Sequence, residues 1–408
     1  LRIVRIAAGP DGYLPKELLW DCLDAFADNL SDFYRQQNRW PDLLHSHYAD
    51  AGYVGEHLAN QFAIPLIHTG HSLGRVKQSR LLASGLSAQQ IEQQYNMARR
   101  IEAEERTLAT AQRVITSTHQ EIEQQYALYD HYQPEQMRVV PPGTDLSQFH
   151  PPAGGELETP LFEELTRHFQ TPHKPIILAL SRPDRRKNIV NLVEAYGRSK
   201  ALQSRANLLI VAGNRDDIDD LDEGAQAVFH ELLVAMDRYE LYGKMALPKH
   251  HRREQVALIY RIAAASGGVF VNPALTEPFG LTLIEAAASG LPLVATEDGG
   301  PKDILGNCKN GLLIDPLDPE SIGHALLSLL SDPDKARRCI ENGLSGVRTH
   351  YAWQAHVERY LELVMPIARD GERLQRMPLQ RRTALYRDRA LVACLDDNLM
   401  GNVAALHK

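Results

Sequence analysis

Cysteine, long apolar runs and an excess of positive charge are all scarce or missing in this sequence of 408 residues. The four cysteines are scattered without the spacing of metal ligands, which argues against a disulfide framework and a zinc site. No stretch approaches the roughly 20 apolar residues of a membrane span, and the first residues lack a signal-peptide pattern. The net charge of −8 argues against a nucleic-acid partner, which usually requires a concentrated basic surface. We therefore expect a globular protein of the reducing cytoplasm that binds neither membranes nor nucleic acids.

The chain does contain a steady alternation of short apolar runs with helical patterns. Apolar runs in the first part lie at residues 3–6, 42–47, 64–68, 114–117 and 138–140, with helices predicted around 15–37, from 52, over 87–110 and from 118. The alternation restarts with apolar runs at 176–180, 207–211, 268–272, 291–295 and 312–314. Such alternation is typical of a parallel sheet covered by helices on both faces. The sequence thus predicts an α/β protein with two doubly wound, Rossmann-like domains.

Changes in composition mark the borders of these domains. Residues 1–150 form the predicted N-terminal domain, and a Pro- and Gly-rich stretch at 151–175 indicates an interdomain connection. Residues 176–350 form the predicted C-terminal domain. A helix within 351–370 is expected to cross back, and residues 371–408 form an Arg-rich tail.

Two carboxylates, Glu277 and Glu285, lie where an apolar strand runs into a loop and then a helix. Pro278 and Gly280 interrupt any continuous helix, which places Glu277 in the loop and Glu285 in the first turns of the following helix. The free backbone amides at such a helix start favour an anion, for example a diphosphate. Glu285, one turn further in, would then face hydroxyl groups of the ligand. An acid near a helix start is also stabilising without any ligand.

A basic loop at residues 181–188 follows a buried strand directly. Its Arg182 and Lys187 are placed at the carboxyl end of that strand, where ligands bind in such sheets. Two cations there can neutralise a diphosphate that an acidic protein would otherwise repel. The alternative interpretation is a solvated basic turn.

Residues 277–285 (EPFGLTLIE) resemble the Glu-x7-Glu motif of retaining GT-B glycosyltransferases, and Arg182 with Lys187 resembles the diphosphate clamp of that family. Four more segments together resemble the sucrose-phosphate synthases: residues 247–251 (LPKHH), 67–74 (IHTGHSLG), 13–20 (YLPKELLW) and 310–316 (NGLLIDP). The likeness covers about residues 1–365. It implies the GT-B fold, in which two Rossmann-like domains face each other across a cleft.

The resemblance also implies a reaction and its site residues. Glucose would pass from UDP-glucose or ADP-glucose to fructose 6-phosphate with retention of configuration, with no cofactor and no bound metal. Arg182 and Lys187 would stabilise the departing diphosphate, Glu277 would hold the glucose hydroxyls, and His71 would touch the transferred sugar. The remaining donor contacts are expected from Gly213, Asn214, Leu247, Phe279, Gly280, Leu281 and Glu285, with Glu285 on the ribose. The acceptor contacts are expected from Lys16, Tyr48, Ser72, Lys77, Arg99 and Arg100.

Two departures from the family keep other interpretations open. Relative to the family, the first strand and its Gly-rich loop are expected to be missing before residue 1. Residues 394–401 (CLDDNLMG) resemble the start of a sucrose-phosphatase-type domain, with Cys394 where the nucleophilic Asp is expected. We therefore expect the start of a degenerate phosphatase-like domain, and a sucrose-phosphate phosphatase among the partners. The alternatives are a sucrose synthase that uses free fructose and a non-catalytic scaffold that binds sugar nucleotides.

Overall fold

The computed structural model describes residues 2–386, which divide into two compact units. The first unit comprises residues 2–116, 120–140 and 359–386, and the second comprises 117–119 and 141–358. Each unit is built on its own parallel sheet, as the alternation of strands and helices predicts. Among the helices of residues 2–386, none combines the length and the apolar character that a membrane span needs.

The first unit has four parallel strands in the order β1-β2-β3-β4. The strands are β1 (Leu44–His47), β2 (Leu66–Thr69), β3 (Arg113–Thr116) and β4 (Met137–Val139). Helix α1 (Leu23–Gln37) precedes β1, and the α-helices between the strands are α2 (Tyr48–Phe62), α3 (Gly74–Ala83), α4 (Ala88–Tyr95) and α5 (Met97–Thr110). Every side chain of β2 is buried, including those of the polar residues His68 and Thr69.

The second unit has six parallel strands in the order β10-β9-β8-β5-β6-β7. The strands are β5 (Ile176–Leu180), β6 (Asn207–Val211), β7 (Met245–Ala246), β8 (Val269–Asn272), β9 (Leu293–Thr296) and β10 (Gly311–Ile314). The helices are α6 (Pro160–Thr166), α7 (Ile189–Arg198), α8 (Lys200–Arg205), α9 (Glu223–Arg238), α10 (Val256–Ala265), α11 (Leu281–Ala288), α12 (Pro301–Cys308), α13 (Pro319–Ser331) and α14 (Pro333–His350). The last helix of the chain, α15 (Trp353–Gln375), begins in this unit, but most of its residues group with the first. Two apolar cores cover the opposite faces of this sheet.

Three predicted elements of the first unit differ in the structure. Residues 3–6 form no strand, and Ile3 is 83% exposed, because an apolar run becomes a strand only where a neighbouring strand supplies hydrogen bonds. The helix predicted over 87–110 is broken into α4 and α5 by Asn96, which adopts a left-handed φ of 46° that asparagine tolerates better than most residues. Instead of a helix from 118, there is a π-helical turn at Glu121–Gln125 and a short 3-10 turn.

The stretch predicted as a connection, residues 151–175, belongs to the second unit. It forms α6, and its apolar side chains Leu161, Phe162, Leu165 and Phe169 are buried in one of the two cores. The predicted C-terminal helix runs further than expected, to Gln375, with Pro366 inside it. Its residues 353–358 group with the second unit and those from 359 with the first. Cys394 and the predicted phosphatase-like segment lie outside the described residues.

Gly268 provides a test of the packing between β5 and β8. A Cβ atom there would lie 2.1 Å from the carbonyl oxygen of Ile176 and 2.8 Å from that of Ala263. Overpacking costs about 1–3 kcal/mol, and each kcal/mol shifts the melting of a domain of this size by about 2–4 °C. We expect Gly268→Ala to lower the midpoint of thermal unfolding, followed by circular dichroism, by about 3–10 °C.

The control for this substitution is Gly306→Ala on α12, where a Cβ atom meets nothing within 4 Å. Because alanine also favours the helix over glycine, its midpoint should stay equal or rise. An unchanged midpoint in Gly268→Ala would contradict the close approach of the two strands.

Candidate active site

The polar loops of the second unit follow neighbouring strands of its sheet. The basic loop (residues 181–188) follows β5, and the glutamate loop (residues 273–280) follows β8, which pairs with β5. The two loops are joined by hydrogen bonds: the N–H of Leu275 donates to the carbonyl of Arg186 over 2.9 Å. The side-chain amide of Asn188 donates to the carbonyl of Pro273, also over 2.9 Å. The carboxyl edge of this sheet therefore carries one connected set of loops.

Glu277 is buried in this unit, with 8% of its surface exposed. Its Oε2 lies 2.6 Å from Nζ of Lys187 and accepts a hydrogen bond from the amide of Asn272 over 2.9 Å. A buried carboxylate is tolerated only when it is paired and hydrogen-bonded, and these two contacts supply both conditions. Lys187 is thus fixed in place by the acid that the sequence analysis assigned to the sugar.

A pair of glycines, Gly299 and Gly300, allows the chain after β9 to lie against the glutamate loop. A Cβ atom at Gly299 would lie 2.0 Å from the carbonyl oxygen of Glu277, and one at Gly300 would lie 2.2 Å from that of Phe279. The N–H of Gly300 donates to the Glu277 carbonyl over 2.9 Å. The sequence analysis missed these residues, although a Gly-Gly dipeptide shortly after a strand is a recognisable signal.

Arg182 differs from the other cations of the basic loop. Arg186 is held by Asp184, with NH2 2.6 Å from the carboxylate, and the hydrogen bond from Arg186 holds the pKa of Asp184 below its usual range. Arg182 is exposed and forms no salt bridge with any residue of the described range 2–386. Its charge is therefore available to an anion at the end of β5.

Glu285 lies in α11, as predicted, and the helix begins at Leu281 after Gly280, which has a left-handed φ of 105°. Leu281 is 50% exposed, so the helix start reaches the surface. The hydroxyl of Tyr260 donates to Oε2 of Glu285 over 3.1 Å. Burial raises the pKa of Glu285 to about 7, an effect that the hydrogen bond from Tyr260 opposes. Tyr260 is fully buried on α10, and no feature of the sequence marks it as part of the site.

A third loop follows β6 and contains Gly213, whose φ is 74°. The side chain of Asn214 donates to the carbonyl of His251 over 3.0 Å and accepts from the N–H of the same residue over 2.8 Å. The carbonyl of Leu247 accepts a hydrogen bond from Arg215 over 3.0 Å. The predicted donor residues Gly213, Asn214 and Leu247 therefore belong to two segments that are bonded to each other.

In the first unit, a buried ion pair places Arg100 beside the ring of Tyr48. Arg100 and Glu104 are 4% and 2% exposed, with Nε 3.0 Å from Oε1, and the guanidinium carbon lies 4.8 Å from the centre of the Tyr48 ring. NH2 of Arg100 donates to the carbonyl of Ser72 over 2.6 Å. Glu104 also accepts hydrogen bonds from the N–H of Gly74 and from the hydroxyl of Tyr129.

Two lysines complete this cation cluster. Nζ of Lys16 lies 5.8 Å from the centre of the Tyr48 ring, and Nζ of Lys77 lies 3.8 Å from that of Tyr95. The cluster lines a pocket together with several neighbours: Glu17, Trp20, Tyr48, Asp50 and Tyr95. Burial lowers the pKa of Lys77, and the nearby charges of Lys16 and Arg100 add to that effect. Three cations against the two carboxylates of Glu17 and Asp50 leave the pocket with an excess of positive charge, which favours the binding of an anion.

The structure does not bring Arg99 into this pocket. Its NH1 lies 2.6 Å from Asp21, and its NH2 donates to the carbonyl of Trp20 over 3.0 Å. Arg99 and Arg100 are adjacent on α5, so their side chains leave the helix about 100° apart and only one can face the pocket. Of the two arginines predicted to contact the acceptor, the structure therefore places only Arg100 at this pocket.

His71 and Tyr48 both adopt left-handed backbone conformations, with φ of 59° and 75°. Such conformations are unfavourable for residues other than glycine, and they cluster at functional sites. Nε2 of His71 lies 2.9 Å from Nδ1 of His47, and burial lowers the pKa of both imidazoles. Within residues 2–386, no group of three or more His, Cys, Asp or Glu side chains is arranged to hold a metal ion.

Two family models match the chain: "Glycosyl transferases group 1" over residues 163–345 and "Glycosyltransferase Family 4" over residues 4–148. Sucrose-phosphate synthase 4 of Arabidopsis thaliana is 42% identical over 416 residues, and the match covers 89% of this chain and 39% of the relative. The sucrose-phosphate synthase of Zea mays is 44% identical over 416 residues with the same coverage.

Among solved structures, the sucrose-phosphate synthase from Thermosynechococcus elongatus matches with a TM-score of 0.66 and 28% identity, over 89% of this chain and 82% of that chain. The chain spans 39% of the length of the two curated relatives. The chain therefore belongs to the glycosyltransferases with the GT-B fold and is a homologue of the sucrose-phosphate synthases.

Proposed function

We propose that the protein transfers glucose from UDP-glucose, or another nucleoside diphosphate glucose, to fructose 6-phosphate and forms sucrose 6-phosphate with retention of configuration. The observation that carries this proposal is the cation cluster of Lys16, Lys77 and Arg100 around one pocket of the first unit. A phosphorylated acceptor needs such charges, whereas free fructose does not. The similarity to sucrose-phosphate synthases supports the same acceptor.

The donor would be held by the second unit. Arg182, which forms no salt bridge within residues 2–386, and the amides at the start of α11 would bind the diphosphate. Phe279, Gly280 and Leu281 would meet the glucose through their backbone, and Glu285 would accept hydrogen bonds from the ribose. Gly213, Asn214 and the backbone of Leu247 would border the nucleoside.

The chemistry that we propose is electrostatic. Glu277 already engages Lys187 and Asn272 through one oxygen, so it fits the binding of sugar hydroxyls better than nucleophilic attack, which in retaining hydrolases uses a pair of carboxylates about 5 Å apart. Arg182 and Lys187 would stabilise the negative charge that grows on the leaving diphosphate. That diphosphate would take the proton of the attacking hydroxyl, and the new bond would form on the face that the leaving group vacates. His71 would contact the transferred glucose.

The remaining parts of the proposal concern the surroundings of the reaction. We propose that no cofactor is needed, that the enzyme works in the cytoplasm and that a sucrose-phosphate phosphatase consumes its product. The rival functions are a sucrose synthase that uses free fructose and a scaffold that binds sugar nucleotides without turnover. UDP release from UDP-glucose in the presence of fructose 6-phosphate, but not of fructose, would exclude both.

Lys77→Met tests the phosphate pocket. Loss of one cation from the cluster should raise the KM for fructose 6-phosphate at least about tenfold, which corresponds to about 1.4 kcal/mol, and should leave the KM for UDP-glucose within about twofold. Steady-state UDP release measures both constants. The control is Arg106→Met on the same helix as Arg100, because Arg106 pairs with Glu56 instead of lining the pocket. Equal effects of the two substitutions would contradict the assignment.

Arg182→Ala tests the electrostatic chemistry. We expect kcat to fall about 100-fold or more, as on removal of a transition-state charge partner, with a much smaller loss in the affinity for UDP-glucose measured by calorimetry. Arg185→Ala is the matched control, because Arg185 lies in the same loop and pairs with Glu231 over 2.8 Å. An unchanged kcat in Arg182→Ala would refute this role.

Glu285 gives a dependence on pH. Its pKa of about 7 in the free protein should fall when ribose hydroxyls donate to the carboxylate. The bound form therefore holds fewer protons, and the affinity for UDP-glucose should rise with pH up to about pH 7 and then level off. Calorimetry should give roughly tenfold weaker binding at pH 6 than at pH 8, with proton release. Glu285→Gln should abolish both the pH dependence of the affinity and the proton release. If the affinity of this variant changed with pH as in the wild type, the contact between Glu285 and the ribose would be contradicted.

A further inference from the structure

The loop after β6 and the segment after β7 are connected by an unusual number of hydrogen bonds. We call residues 247–251 the rim segment. The side chain of Asn214 makes two bonds with the backbone of His251, and Nζ of Lys249 donates to the carbonyl of Asp216 over 2.7 Å. Arg215, which lies between Asn214 and Asp216, makes the largest share of the hydrogen bonds between the two segments. The rim segment is therefore a preformed structure, not a free loop.

Arg215 holds three consecutive carbonyl groups of the rim segment. NH2 donates to Leu247 over 3.0 Å and NH1 to Pro248 over 3.2 Å, while the backbone N–H donates to Lys249 over 3.0 Å. The guanidinium lies over the ring of Phe229 at 4.2 Å, which fixes its plane. A backbone segment of this kind has no repetitive structure to hold it, so its orientation is set by Arg215 together with the bonds of Asn214 and Lys249.

The stability of the fold alone does not account for this arginine. Arg215 forms no salt bridge in the part of the chain that the structure describes, and its Nε is buried without a hydrogen-bond partner. Burial lowers the pKa of Arg215. A partly buried cation held only by neutral carbonyls carries a desolvation cost that an apolar side chain over Phe229 would avoid. Unlike an apolar side chain over Phe229, Arg215 orients the carbonyl groups of the rim segment.

That geometry follows from the planarity of the peptide group. In a trans peptide, the N–H points opposite to the C=O of the preceding residue. Because the carbonyls of Pro248 and Lys249 point to Arg215, the N–H groups of Lys249 and His250 point away from it. Neither N–H donates to a protein acceptor within residues 2–386. Two neighbouring donors are thus turned outward at the carboxyl edge of the sheet, where ligands of such folds bind.

We propose that Arg215 is a positioning residue that presents the N–H groups of Lys249 and His250 to the nucleobase of the sugar nucleotide, and so selects uracil over adenine. The edge of uracil carries carbonyl oxygens, which accept from these donors. The amino group of adenine would place donor against donor and leave these N–H groups without an acceptor on the base. This inference rests on the proposed function, because it assigns the base recognition of the same donor site.

Arg215→Met tests the inference through the ratio of two donors. In the wild type, calorimetry should give tighter binding of UDP-glucose than of ADP-glucose. The substitution should weaken UDP-glucose about tenfold and ADP-glucose less than about twofold, so that the ratio collapses, while kcat at saturating donor changes little. Arg215→Lys can reach only one carbonyl at a time and should restore the ratio in part. A residue that merely supported the fold would affect both donors alike.

Arg238→Met is the matched control, because Arg238 lies on α9 with Phe229 but pairs with Glu194, and it should leave both affinities unchanged. Equal losses for both donors, no loss, or a wild type that prefers ADP-glucose would overturn the inference. If Arg215→Met fails to fold, Arg215→Lys decides the question. A ratio of the two donor affinities equal to that of the wild type in Arg215→Lys would also overturn the inference. A wild type that binds both donors but releases no UDP would contradict the proposed function and leave the ratio test intact. A wild type that binds neither donor would contradict both.

Discussion

The salt bridge between Lys187 and Glu277 is the contact on which the second unit's site depends. It joins the loop after β5 to the loop after β8, and it gives a carboxylate that is only 8% exposed the partner that a buried charge requires. Gly299 and Gly300 permit this enclosure, because any side chain at either position would overlap the backbone of the glutamate loop. The position of a lysine charge is thereby fixed before any ligand arrives, which avoids reorganisation when charge develops.

In the first unit, a buried acid also holds a cation in place, but through different contacts. Glu104 has no place in the pocket itself, yet it accepts hydrogen bonds from Arg100, Tyr129 and the N–H of Gly74. These contacts hold the arginine against the Tyr48 ring and leave its far side to Ser72. In both units, one buried acid therefore determines where one cation lies. The two acids differ in burial and in partners, so neither unit is a copy of the other.

The sequence predicts the local parts of this protein well and the non-local parts poorly. The placement of Glu277 in a loop and Glu285 in a helix follows from Pro278 and Gly280, which act on their own neighbours. The roles of Tyr260 and Arg215 could not be foreseen, because their partners lie 25 or more residues away and are backbone carbonyls or a half-buried acid. The prediction of a strand at residues 3–6 was wrong for the same reason, because a strand forms only when a second, distant segment pairs with it. The distinction between Arg99 and Arg100 required only helix geometry and was within reach.

The buried position of Arg100 has a consequence for the effect of ionic strength on the acceptor pocket. Mobile ions screen charges that they can surround, over about 8 Å in physiological salt, and screen buried charges far less. Arg100 is enclosed, whereas Lys16 stands exposed at the same pocket. The attraction of an anion to this pocket therefore has a part that salt weakens and a part that it hardly affects. Rising salt would slow the capture of a phosphorylated sugar more than it would loosen the sugar once bound.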